Sequence, residues 1–567
     1  MFNKDSLTEM PTYEALYETF SWEAFCRENL DWDPKEKLNI AHEAVDRHAH
    51  DPHKIALFCI RNSGICEKIT FWELQKFTNR FANVLGALGV ERGDRVARLL
   101  PRIPETYFCF LGTWKAGVVD VPLYTAFGPE AIAYRVKDSG AKLIVTDAEN
   151  REKLRKIEDQ LDGVDIMVVP EQKGRGLRKG DLSFWQEMDQ ASDHFEAVAC
   201  REDETAVILY TSGTTGPPKG TLIPMSGIIT ILPFAKYNLN IQPNDMFWSF
   251  ADPGWAFGLL TAGTSSLVLG NSLMVHEPGF TAENWYKTVA EYEVTNFASA
   301  PTAFRLIMAA GEDLPKKYDV SSLRCLCAGG EAVNPEINYW FKKHIGVDVF
   351  DIYGITEVGM LVANSVYMPV KPGSMGKPVF GFQIALLDEK GEPVTKGHVG
   401  TISCPRENPY FLAKGYLNKP EKWEGAFMNG RWFNTGDLAR QDEDGYYFFE
   451  GRDDDVISSA AYRIGPAEVE SVLIEHPAVV ESAVVGKPDD LRGEVVKAFI
   501  VLKSTYSPSE DLKQAIQLFV KGKLAKHNYP RELEFVDDLP KTPSGKIMRR
   551  LLRKAEYEKA GKKISNI

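Results

Sequence analysis

What this chain has little of narrows it before any motif is read. Its eight cysteines, at positions 26, 59, 66, 109, 200, 325, 327 and 404, include no CxxC pair. A chain of this length needs no disulfide staples, so a reducing cytoplasm is the expected compartment. No segment reaches the ~18 uninterrupted apolar residues of a spanning helix, and no long apolar run follows the charges at the N-terminus; neither a membrane span nor a secretory leader is expected. Positive charge is in deficit, with 66 Lys and Arg against 79 Asp and Glu and a formal charge of −13. That balance argues against a nucleic-acid surface, and anionic ligands have to be held by local donors. Metal-ligand spacing is also missing. His48, His50 and His53 sit close together without an acidic or cysteine partner at a recognised spacing, and they read as a polar helix end closed by Asp51-Pro52. No solenoid-period repeat or low-complexity tract occurs.

What is present is ordinary globular composition, 567 residues with 44% hydrophobic and 26% charged, more than one core normally sustains, so two or more packed domains are expected. From about residue 70 to 300, amphipathic helices (71–88, 106–116, 131–139) alternate with short apolar strands (95–100, 118–122, 141–145), a pattern that predicts parallel sheet covered by helices. After about residue 380, short strands separated by Asp-Glu-Lys-Gly and Asp-Glu-Asp-Gly turns predict antiparallel structure, a small barrel or sheet closing the large domain. Beyond 451–455 the pattern changes again: helices over 466–475 and 511–524 and strands over 479–485 and 495–502, about 110 residues that can form a separate domain.

The densest chemistry lies in residues 210–220, Tyr-Thr-Ser-Gly-Thr-Thr-Gly-Pro-Pro-Lys-Gly, directly after a buried-strand pattern. Open α/β sheets place ligands at such strand ends. Gly213 and Gly216 let backbone N–H groups approach an anion, Thr211, Ser212, Thr214 and Thr215 add hydroxyls, and Lys219 adds charge. This predicts a phosphate-gripping loop. A Walker loop is excluded, because Pro218 stands where that pattern requires glycine and Gly220 replaces the following Ser or Thr.

Further segments extend the theme in order: Ala328-Gly-Gly-Glu-Ala-Val-Asn-Pro335, Asp351-Ile-Tyr-Gly-Ile-Thr-Glu-Val-Gly359, Thr435-Gly-Asp437 between antiparallel strands, residues 451–465, and Lys541-Thr-Pro-Ser-Gly-Lys-Ile-Met548. Together with 210–220 they resemble the acyl-adenylate-forming superfamily of AMP-forming acyl-CoA synthetases, peptide-synthetase adenylation domains and luciferases, over essentially the whole chain. Ala251-Asp-Pro-Gly-Trp-Ala-Phe257, Tyr462-Arg-Ile-Gly-Pro-Ala-Glu-Val-Glu470 and the stretch Leu38–His48 are similar to the medium-chain acyl-CoA synthetases, with acetate-specific relatives next.

The resemblance implies an α/β fold: a large N-terminal domain (1–450) of two α/β subdomains plus a small β-barrel-like subdomain, a hinge at 451–455 with Asp454 as pivot, and a smaller mobile α+β C-terminal domain (456–567). It implies an ATP site of Thr211, Ser212, Gly213, Thr214, Thr215, Gly216, Lys219, Gly330, Glu331, Asp351, Tyr353, Gly354, Thr356, Asp437, Arg452, Arg463 and Lys546. Within it Lys546, Lys219, Thr356 and Glu357 are the catalytic set, Glu357 carries Mg²⁺, Asp437 holds the ribose hydroxyls, Arg452 supports the ribose, and Tyr353 lies against adenine. Trp255 and Phe257 are implied as walls of the acyl site opposite Gly329 and Gly330. Gly354 stands where acetate-specific relatives carry tryptophan, so a deeper cavity is expected. Ala460, Ala461, Tyr462 and Arg492 are implied at the coenzyme A tunnel, where Ala461 departs from the family's usual glycine.

The chemistry so implied is attack of a carboxylate on the α-phosphorus of ATP with loss of pyrophosphate, then transfer of the acyl group to coenzyme A by rotation of the C-terminal domain. No protein nucleophile is required. Medium-chain, branched or cyclic and aromatic acids are the expected substrates and Mg²⁺ the expected ion, in a cytoplasmic monomer or homodimer without nucleic-acid partners. An acyl-adenylate ligase loading a carrier protein, a luciferase-like monooxygenase and a catalytically inactive nucleotide-binding regulator are the alternatives.

Overall fold

Two large mixed sheets, each closed at an edge by antiparallel strands, carry most of the chain. A computed structural model describes residues 11–170, 176–211, 218–331, 333–459, 462–489, 492–524, 529–541 and 547–562, apart from the side chains of 454, 458, 462 and 463. The first sheet has eight strands in the order Gly415–Tyr416, Lys219–Pro224, Thr205–Thr211, Val119–Pro122, Arg95–Leu99, Leu143–Asp147, Asp165–Val169 and Leu182–Ser183. It is parallel from Thr205–Thr211 onwards and antiparallel at the other edge, where Thr211 faces Lys219 and Tyr416 faces Thr221. Its inner strands are buried almost throughout, their interior charges Arg98 and Asp120 included, as expected of a parallel sheet covered on its faces. Phe71–Ala87 begins with a reciprocal Thr70/Glu73 capping box, and every residue of the helix Pro104–Lys115 is buried.

The second sheet has nine strands, ordered Lys377–Pro378, Gly359–Ala363, Val349–Ile355, Cys325–Gly329, Asn296–Ser299, Met246–Ser249, Ser272–His276, Ile55–Ile60 and Cys66–Thr70. Its six central strands are parallel. A five-stranded antiparallel sheet follows, built on Val399–Pro405, Trp432–Gln441 and Tyr447–Arg452 with two short strands. Thr435-Gly-Asp437, expected between strands, lies inside the single strand Trp432–Gln441. Gly436 takes φ +73° there and the ladder shifts register beyond Leu438, so the strand kinks without ending.

The C-terminal residues build their own sheet and core. A long hairpin, Val479–Asp489 with Gly493–Leu502, outruns both predicted strands, and Glu532–Phe535 adds to it in parallel. Ile457, Val469, Leu473, Val484, Ile500, Ile516 and Val520 pack beneath it. Between this part and the rest, the Asn334 side-chain amide donates to the Ser471 carbonyl at 3.2 Å.

Candidate active site

At the phosphate end, β-pairing fixes the geometry. Thr211 and Lys219 are cross-strand neighbours, which brings the two ends of the loop together, and the Thr211 and Thr221 hydroxyls lie 3.5 Å apart. Ser212, Gly213, Thr214, Thr215 and Gly216 lie outside the described residues. Thr356 and Glu357 occupy the turn between the antiparallel strands Val349–Ile355 and Gly359–Ala363. The chain 412–417 stitches that turn to the phosphate hairpin: Ala413 N–H donates to the Glu357 carbonyl (2.9 Å), Lys414 N–H to Leu222 (2.9 Å) and Leu417 N–H to Gly220 (2.7 Å).

Tyr416, which no local pattern marked out, stands between the two charges. Its hydroxyl donates to Glu357 Oε1 at 2.8 Å, and Lys219 Nζ lies over its ring, 4.2 Å from the centroid. Burial lowers the Lys219 pKa, the Glu357 carboxylate works against that shift, and Lys422 and Lys419 reinforce it. Burial together with the Glu357 charge raises the Tyr416 pKa, so its phenol stays a donor. Glu357 Oε2 has no protein partner among the described residues, and among them no group of three or more His, Cys, Asp or Glu side chains is arranged to hold a metal ion by itself. One half-buried carboxylate with a free oxygen fits Mg²⁺, an ion that takes one or two carboxylates and completes its shell with water and phosphate oxygens.

A second cluster joins Tyr353, on the strand that leads into the Thr356–Glu357 turn, to Asp437 and Arg452 of the antiparallel sheet. The Tyr353 hydroxyl donates to Asp437 Oδ2 at 2.8 Å, and Arg452, the cross-strand partner of Asp437, brings Nε to 3.8 Å from Oδ1. Asp437 N–H is held by Thr435 Oγ1 at 3.1 Å. Burial, with the nearby Asp437 carboxylate, raises the Tyr353 pKa. Glu331 accepts from Arg305 at 3.2 Å, and Arg549 feels its charge. Asp351 is 4% exposed in mid-strand, and burial raises its carboxyl pKa.

The segment expected to wall the acyl site is held by packing. Asp252-Pro-Gly-Trp255 is a turn in which Gly254 N–H donates to Asp252 Oδ1 at 2.7 Å and Trp255 N–H to the Asp252 carbonyl at 3.0 Å. It opens into a π-helix, Phe257–Thr264, closed by Ser265 N–H to the Leu260 carbonyl; such windings cluster at functional sites. A Cβ on Gly258 would meet the Asp252 carbonyl oxygen at 2.2 Å, so only glycine permits this approach. Trp255 packs against Tyr124 (5.4 Å between centroids) and Phe127 (6.1 Å), neither of which the sequence reading identified, and its indole N–H has no acceptor among the described residues. Beneath the turn, the fully buried pair Arg98–Asp120 (3.0 Å) also donates from Arg98 to the Pro253 carbonyl at 3.2 Å. At Gly354 the Cβ direction runs into the Gly359 carbonyl oxygen at 2.4 Å and Met360 Sδ at 2.9 Å. That of Gly329 meets Ile352 at 2.4 Å.

The remaining predicted residues are dispersed or undescribed. Ala460, Ala461 and Lys546 lie outside the described residues, as do the side chains of Asp454, Tyr462 and Arg463. Arg492 is exposed, its N–H donating to Asp489 Oδ1 at 2.8 Å. Shortly after the Lys546 segment, Arg549 grips Glu470 through two bonds (2.7 and 2.6 Å) and lies 3.7 Å from Asp455.

Comparison with known proteins agrees with this layout. Residues 45–417 match the model of the AMP-binding enzyme family and residues 468–546 that of the AMP-binding enzyme C-terminal domain. The chain is 40% identical over 549 residues to an acetyl-coenzyme A synthetase of Bacillus subtilis, covering 96% of this chain and 95% of the relative. It is 36% identical to the mouse mitochondrial acyl-coenzyme A synthetase ACSM3, covering 98% and 96%. Among solved structures, the anthranilate CoA ligase AuaEII in complex with anthranoyl-AMP aligns with TM-score 0.84 at 32% identity, over 93% of this chain and 98% of that one. The Brucella canis acyl-CoA synthetase aligns at 0.77 and 39%, over 97% and 100%. With the ordered motifs and these full-length matches together, the chain belongs to the AMP-binding enzyme family, among its AMP-forming acyl-CoA synthetases.

Proposed function

We propose that this enzyme activates a medium-chain, branched or cyclic carboxylic acid as its acyl-adenylate, releasing pyrophosphate, and then transfers the acyl group to coenzyme A. The observation that carries the reading is the joining of Lys219, Tyr416 and Glu357 across three separate segments, with Tyr353, on the strand that leads into the Glu357 turn, bonded to Asp437 beside Arg452. The first group offers a cation and a carboxylate to a triphosphate, and the second offers a carboxylate and an aromatic ring to a nucleoside. Lys219 and the donors of its loop stabilise charge building on the departing pyrophosphate. Mg²⁺, when bound at Glu357, supplies charge neutralisation on the phosphate oxygens.

For the acid itself, Trp255, Phe257, Tyr124 and Phe127 favour a compact apolar or ring-bearing acyl group. Gly354 lets the strand that carries Met360 approach closely, since a Cβ there would meet the Gly359 carbonyl oxygen at 2.4 Å, and the lack of a side chain at 354 leaves the acyl site deeper than a tryptophan would. Domain alternation about 451–455 accounts for two reactions in one cleft. The test is ATP–pyrophosphate exchange with acids from acetate to decanoate plus benzoate: exchange with a mid-length or aromatic acid fastest supports the reading, acetate fastest overturns the substrate class, and no exchange with any acid overturns the activity. Lys546→Ala should abolish acyl-AMP formation while largely sparing thioester formation from supplied acyl-AMP; equal loss in both removes Lys546 from the adenylation step.

A further inference from the structure

Opposite charges that approach in a half-buried cleft tend to close into an ion pair, and a closed pair would leave neither partner for a ligand. Lys219 and Glu357 are close enough for the carboxylate to influence the ammonium, yet no direct ion pair joins them among the described residues. What occupies the line between them is the side chain of Tyr416, with Glu357 on its hydroxyl and Lys219 on its ring face.

Tyr416 is well placed to act as a spacer because its own position is over-determined. It is 6% exposed. Its backbone pairs with Thr221 at the end of the phosphate hairpin, its ring meets Trp423 edge to face at 5.5 Å, and its neighbours Ala413 and Leu417 donate to Glu357 and Gly220. Both anchor points therefore belong to the two turns that carry the charges. A cation over an aromatic face is attracted without being neutralised. A carboxylate that accepts one phenolic bond keeps its second oxygen available.

We infer that Tyr416 is a positioning residue that holds the Lys219 ammonium and the Glu357 carboxylate apart and aimed, one for phosphate oxygens and one for the divalent cation that accompanies them. The inference rests on the proposed function and adds to it a residue 59 positions from Glu357 in sequence. The two halves of the spacer make separable contributions. The hydroxyl orients the carboxylate and hence metal affinity; the ring seats the ammonium and hence affinity for the nucleotide without metal.

The experiment uses the full chain, with Mn²⁺ followed by electron paramagnetic resonance and a non-hydrolysable ATP analogue followed by calorimetry. Tyr416→Phe keeps the ring and the buried contacts. It is expected to weaken Mn²⁺ binding in the presence of the analogue roughly tenfold, the size of one lost hydrogen bond to a charged group, while metal-free analogue affinity stays within about twofold. Tyr416→Leu is expected to weaken metal-free analogue binding as well. Wild-type Mn²⁺ affinity in Tyr416→Phe overturns the inference, and so does an equal loss of metal and metal-free binding in that variant. If the wild-type protein binds no analogue under either condition, it is the proposed function that fails.

Discussion

The proposed nucleotide end and the proposed acyl end are held by different physics. Around Lys219, Tyr416, Glu357 and Asp437 the positions come from paired strands and short polar contacts of 2.8–3.8 Å. Around Trp255 and Phe257 they come from ring packing, a π-helix and a glycine pressed against a carbonyl, all seated on a buried ion pair. The first arrangement can lose a side chain and keep its shape, because the backbone ladder remains. The second is its side chains, so changes there should reach stability and substrate range together.

Breaking the foundation of the acyl end is expected to have the largest effect. Asp120→Asn leaves Arg98 charged, buried and unpaired, which costs ~3–5 kcal/mol and should appear as a large drop in Tm by calorimetry; an unchanged Tm would erase the contrast. At the nucleotide end, Lys219→Ala should slow pyrophosphate exchange by ~10²–10³-fold with Tm nearly unmoved. Trp255→Leu should shift the preferred acid towards longer or bulkier chains, by ~1–3 kcal/mol per methylene accommodated, read as ratios of kcat/KM across the acid panel with ATP KM constant.

The smallest effect is a pH dependence confined to the acyl-side scaffold. Burial pushes both His48, bonded to the Val268 carbonyl, and His276, tilted against Trp248, down to about 4. The unfolded chain then takes up protons first as pH falls from about 6.5, so stability is full near neutrality and is lost towards pH 4. Each histidine is expected to contribute about 1 kcal/mol of that loss at about pH 5.5, and His276→Gln should flatten Tm against pH over this window.

The same division explains what could be read in the residues alone. Thr211, Lys219, Thr356 and Glu357 are legible because turn chemistry is local: glycines, hydroxyls and a charge must be adjacent in sequence to share one bend. The alternation of helix and strand over 70–300 is legible for the same reason, since periodicity is a short-range signal. Tyr416 carries no such mark; its partners lie 59 and nearly 200 positions away and meet it only through an edge strand of two residues. Tyr124 and Phe127 look like any aromatic beside a strand. The closeness of Met360 to Gly354 was illegible for a related reason: Met360 arrives from the antiparallel neighbour, and only the register of that pairing sets where its sulfur falls.

Arg98 reaches the Pro253 carbonyl, not the residues that would touch an acid. The turn thus hangs from its main chain, and its side chains at 255 and 257 can be exchanged without disturbing the hanger. Retailoring which acid is accepted would start at 255 and 257, where each exchange trades ring packing against substrate range while the main-chain mount stays in place.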